Sequence, residues 1–189
     1  MLTETQETKQ GMNNARERMS EYKVLAAAFA YPDDNFFKLF PEALAEKEGL
    51  RREYDRLFRA QSTWIYTCEY ISEHEFQRAN YLSDISGFYR AFGVEADRDR
   101  PDSLAMELEF MHYLIFKALY ADTHRENDAK AGEKMFICVD AQKKFFTQYL
   151  CLPAKQIAQA VISKTSHNFY KETAARLLEF MESEEKLLL

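Results

Sequence analysis

DSLAMELEFMHYLIFKALYA, residues 102–121, is the stretch that decides the fold. Set out at about 100° per residue, Leu104, Leu108, Met111, Ile115 and Leu119 form one stripe. Met106, Phe110, Tyr113 and Phe116 cover most of the remaining circumference. A helix that is apolar nearly all round belongs in the middle of a protein, so this segment is expected to be the central helix of a helical core. Glu107 projects between Leu114 and Ala118, inside the apolar arc. A carboxyl group there must be hydrogen-bonded, ion-paired or protonated, because an unpaired buried charge is too costly. It reads either as a structural partner for a neighbouring helix or as the floor of a cleft.

Working outward, the same periodicity recurs. Upstream, Ser72 and Glu75 have the spacing of a capping box, which predicts a helix starting at residue 72. Leu82, Ile85, Tyr89 and Phe92 lie along its inner side, and Gly93 is a natural left-handed stop. The linker VEADRDRP, residues 94–101, is short and charged. Residues 61–71 have no clear period and carry Trp64, Tyr66 and Tyr70, which reads as an aromatic loop. Helices are expected over 13–31, closed by Pro32, over 34–45, bent at Pro41, and over 50–60. Downstream, helices are expected over 126–149, 153–164 and 168–183, the last facing inward through Leu177, Leu178 and Met181. No segment alternates. The fold class is therefore all-α, a single-domain multi-helix bundle over residues 13–189, with residues 1–12 as a flexible tail.

Composition narrows the function. Five glycines and four prolines in 189 residues leave little room for the tight turns of sandwiches, barrels or nucleotide-binding loops. The net charge is −6, which argues against a phosphate-backbone partner, so no nucleic acid is expected. Between residues 66 and 110 stand ten acids (Glu69, Glu73, Glu75, Asp84, Glu95, Asp97, Asp99, Asp102, Glu107, Glu109) and four arginines (Arg78, Arg90, Arg98, Arg100), so this stretch carries the whole excess. It is either a solvated surface or a site that attracts a basic ligand. Cys68, Cys138 and Cys151 are odd in number and widely spaced, which indicates neither a zinc site nor a disulfide framework. The polar N-terminus and the lack of a long apolar run predict no signal peptide and no membrane insertion, and cytoplasmic is the expected location.

Catalytic templates fail: no GxGxxG, P-loop, GxSxG or HExxH occurs. Glu109 and His112 have the ExxH spacing that di-iron bundles use, and with Glu107 they define the rival expectation, a metal-dependent helical-bundle enzyme. No second ExxH supports it. His74, His124 and His167 lie in polar contexts without a nucleophile or base beside them.

The paired motifs GFYRAFG, residues 87–93, and PDSLAMELEFM, residues 101–111, resemble the TorD/DmsD/NarJ family of molybdoenzyme maturation chaperones. YTCEY (66–70), the segment 22–32 whose helix closes on Tyr-Pro-Asp (31–33), and AQKKFFTQYLCLP (141–153) are also similar, so the likeness runs from about residue 16 to 181. It implies an all-helical binding protein rather than an enzyme, with no cofactor of its own. Its partner would be the catalytic subunit of a molybdopterin oxidoreductase, or that subunit's twin-arginine leader, held until the molybdenum cofactor is inserted. The protein would be a monomer or a helix-swapped dimer. Acids for guanidinium groups and aromatics for an apolar stretch suit such a leader. The resemblance places peptide binding on Pro101, Asp102, Ser103, Glu107, Glu109 and Met111, with Tyr66, Glu69, Tyr70 and Tyr89 beside them. Ser103 departs from the family, which usually has histidine after Pro-Asp. Asp102 also reads as a helix N-cap, worth about 1 kcal/mol.

Overall fold

The computed structural model describes residues 4–60, 63–95 and 100–189. Breakers set most element boundaries. Helix α1 (Glu4–Ala28) stops before Pro32, whose ring disfavours helix at the preceding residue. The Asp33 carboxylate accepts from the N–H groups of Asn35 and Phe36, both at 2.9 Å, and so starts α2 (Asp34–Leu39). Pro41 bends the chain into a 3-10 turn, Pro41–Glu46, ahead of α3 (Lys47–Tyr54). A π-helical turn, Asp55–Arg59, and the single-turn helix α4 (Cys68–Ile71) follow. Helix α5 (Glu75–Ala91) ends two residues before Gly93, whose φ of 74° is the left-handed conformation glycine tolerates. Then come α6 (Leu104–Thr123), α7 (Ala131–Phe145), a second π-helical turn (Phe146–Leu150), α8 (Cys151–Lys164) and α9 (Asn168–Leu188).

The fold is all-α, with one isolated β-bridge, Tyr66 to Ser103, and no strand among the described residues. Helix α6 is central: it packs along α1 on one side and α7 on the other, while α8 and α9 pair with each other. Its Leu104, Leu108, Met111, Leu114 and Ile115 are buried. Phe110 links α5 to α7 through edge-to-face rings, 4.8 Å from Tyr89 and 4.9 Å from Phe145 between centroids. Such pairs add about 0.5–1.5 kcal/mol to the area they bury. A charged tie closes the far end. Arg18 on α1 bonds Glu184 on α9 through Nε and Nη2, at 2.6 and 2.8 Å, and the Tyr22 hydroxyl donates to the same carboxylate at 2.9 Å. No helix among the described residues is long and apolar enough to cross a membrane.

Several boundaries, and the enclosure of α6, differ from expectation. Helix α1 begins at Glu4, well ahead of residue 13, while residues 1–3 of the expected tail lie outside the described residues. The capping box at Ser72 does not form. Ser72 is extended and terminates α4, and α5 is capped by His74, whose Nδ1 accepts from the Gln77 N–H at 3.1 Å. Pro153 lies within α8, in the first turn where a missing N–H costs nothing. Central helix α6 is less enclosed than its pattern implies, since Phe116 and Tyr120 in its second half are exposed.

Candidate functional site

Residues 63–72 dock on the turn that enters α6. The Leu104 N–H donates to the Ile65 carbonyl and the Thr67 N–H to the Asp102 carbonyl, each at 2.9 Å. This clasp satisfies backbone groups that a helix start leaves free and fixes two side-chain layers. The inner layer is a buried polar node. The Thr67 hydroxyl donates to Glu107 Oε1 at 2.6 Å, and both residues are fully buried. Burial drives the Glu107 carboxyl well above the usual carboxylate range; the Thr67 hydrogen bond opposes the shift and the Asp102 charge adds to it. Burial thus favours the neutral form of Glu107, which serves as a hydrogen-bonded structural partner for the clasp.

Neighbouring groups feel the same environment. The Tyr89 hydroxyl donates to the Pro101 carbonyl at 2.9 Å, and burial, then Glu107 and Asp102, push the phenol well up. Burial, followed by the two carboxyl groups, also raises the Cys68 thiol, which stays protonated and unreactive. The three cysteines are buried and unpaired.

The outer layer lies toward the surface, with Asp102 at its buried base. The Arg100 guanidinium lies 3.3 Å above the centre of the Tyr66 ring. Its Nε is 3.3 Å from Asp102 Oδ1, and its Nη2 is 3.3 Å from Glu69 Oε1. Arg78 reaches the same Glu69 oxygen at 3.0 Å. No nitrogen or oxygen donor among the described residues reaches Asp102 Oδ2, although Asp102 is fully buried. Tyr70 closes the loop by donating to the Trp64 carbonyl at 2.8 Å.

The ten residues singled out from sequence thus separate. Tyr66, Glu69 and Asp102 converge on one guanidinium. Tyr70 holds the loop they stand on. Tyr89, Pro101, Glu107 and Met111 are buried and support the clasp from inside. Ser103, where the family usually carries histidine, is the N-cap of α6: its Oγ accepts from the Met106 N–H at 3.3 Å. Asp102 is not the cap, because its backbone is held by Thr67 and its side chain turns to Arg100. Glu109 lies elsewhere, half-exposed and paired with Lys23 of α1. The metal constellation does not assemble. Glu107 turns to Thr67, Glu109 to Lys23, and His112 Nδ1 lies 2.8 Å from the Met19 carbonyl. No group of three potential metal ligands occurs among the described residues. Sequence reasoning missed Thr67, Arg78 and Arg100 as site residues. Arg100, two residues from Asp102, was the one with a local signal. Asp97, Arg98 and Asp99 lie outside the described residues.

A second surface lies farther along α6. Phe92, Tyr113, Phe116, Tyr120 and Ile137 line a mainly apolar recess of about 510 Å³ between the end of α5, the second half of α6 and the start of α7.

The profile of the nitrate reductase delta subunit family matches residues 12–153, three-quarters of the chain, from α1 into α8 and including the whole clasp. The chain belongs to that family. It is a family of chaperones for molybdoenzyme maturation, whose members associate with molybdoenzyme catalytic subunits. Comparison with curated proteins finds no match. Family membership and the all-helical fold agree with the resemblance carried by GFYRAFG and PDSLAMELEFM.

Proposed function

We propose that this protein is a cytoplasmic chaperone that binds the twin-arginine leader of a molybdopterin oxidoreductase catalytic subunit. It holds that subunit while cofactor is inserted, before export, and performs no catalysis of its own. The observation that carries this reading is the cradle formed by Tyr66, Glu69 and Asp102, which already holds a guanidinium. An aromatic face with two carboxylates beside it is suited to arginine, whose planar fork stacks and donates at once. The recess lined by Phe116, Tyr120 and Ile137 offers exposed apolar surface for the leader's hydrophobic stretch, as binding of an apolar segment requires.

Calorimetry tests it. A peptide with two adjacent arginines followed by an apolar stretch, taken from a molybdoenzyme leader of the same organism, should bind. Glu69→Gln should weaken binding about tenfold, the effect of one charge-assisted hydrogen bond. Absence of heat with every molybdoenzyme leader of that organism would remove leader binding and leave the mature subunit as the client.

A further inference from the structure

We infer that Arg100 is a resident occupant of the guanidinium cradle and that a client arginine enters by taking its place. This rests on the cradle being the leader-binding site. Three observations carry it. The first is fit. Charge-assisted N–H···O bonds settle at about 2.7–2.9 Å, yet Arg100 stands 3.3 Å from both Asp102 and Glu69. The Arg18–Glu184 tie reaches 2.6 and 2.8 Å with a fork-to-fork pair. Arg100 is two residues from Asp102, and so close in sequence its side chain must fold back. It touches Asp102 only through Nε.

The second observation is unused capacity. Asp102 Oδ2 is buried and no nitrogen or oxygen donor among the described residues reaches it; beyond Arg100 the carboxylate has the weak Cys68 thiol beside it, so it retains capacity for a stronger donor. A guanidinium arriving from another chain has no such tether and can present two parallel N–H groups. The third is access. The Arg100 side chain is 32% exposed and Arg78 is 40% exposed, against 18% for Arg18, so both arginines on Glu69 can leave for water.

Exchange of arginine for arginine also solves a problem of the empty site. Withdrawing Arg100 alone would leave Asp102 without its cationic partner, whereas replacing it keeps the charge matched throughout. The resident arginine therefore keeps the apo protein folded around its own site and lowers apparent affinity by the fraction of molecules whose cradle is open. A lysine is a poor invader, since it neither stacks as a plane nor presents two parallel N–H groups in a fixed fork.

The test uses the full chain, the paired-arginine peptide described above and its Lys-Lys counterpart. Arg100→Gln and Arg100→Lys are compared with the wild type by calorimetry, with thermal melts confirming that each variant folds. Arg100→Gln should bind the paired-arginine peptide about fivefold more tightly, the scale of a partly exposed ion pair. Arg100→Lys should gain less, and neither should gain for the Lys-Lys peptide. In the wild type, the Arg100 Nε–H resonance, assigned by its loss in Arg100→Lys, should shift when the paired-arginine peptide is added. If the wild type binds the peptide and Arg100→Gln binds it equally or more weakly, exchange is wrong and leader binding stands. If neither protein binds either peptide, both fall together.

Discussion

Replacing Glu107 by glutamine keeps the side chain's shape and its bond from Thr67 while removing its titration. In the folded protein burial holds this carboxyl protonated well above the usual carboxylate range. In the unfolded chain it loses its proton near the ordinary value of about 4.3. Between those two points the native state binds one more proton than the unfolded state, so stability falls as pH rises. The Glu107 contribution is fully present below the unfolded value and is lost as pH climbs toward the folded one. The slope for one proton is about 1.4 kcal/mol per pH unit as pH rises above the unfolded value. Glu107→Gln has no such term. Urea unfolding of both proteins across that range should show the variant gaining on the wild type at that slope. A gap that stays constant or narrows with rising pH would refute the reasoning, because it would mean that Glu107 is ionised inside the fold. Leader binding should survive the substitution, since glutamine still anchors Thr67 and the clasp beneath Tyr66 and Glu69.

Two further outcomes test the frame that carries the clasp. Glu184→Ala strands Arg18 and the Tyr22 hydroxyl at the junction of α1 and α9 and should cost about 3 kcal/mol, read from the urea midpoint. Gly93→Ala forces a side chain into φ 74° and should cost about 1–2 kcal/mol in the same assay, although a Cβ there meets nothing within 4 Å.

Much of this molecule was legible along the chain because helices are local. The apolar circumference of residues 102–121 foretold a central helix, and Pro32, Pro41 and Gly93 marked true breaks. Where the sequence misled, two local rules competed for the same residues. Ser72 matched a cap, yet it was needed in extended form to end α4, and His74 took the role. Asp102 matched a cap too, but the bridge from Tyr66 to Ser103 turned its carboxylate away and left Ser103 at the helix start.

The sequence by itself determined the helical class, the family motifs and the concentration of acids between residues 66 and 110. It also showed that Glu107 would lie in an apolar arc, because position on a helix depends only on spacing. The tertiary structure decided what each acid does. Glu69 and Asp102 stand 33 positions apart in the chain and meet only because the loop and the α6 entry are hydrogen-bonded to each other. Glu107 and Glu109, two positions apart, part company because successive helix faces point to different neighbours, Thr67 in the core and Lys23 at the surface. Burial and convergence are properties of several segments at once, and no single segment records them.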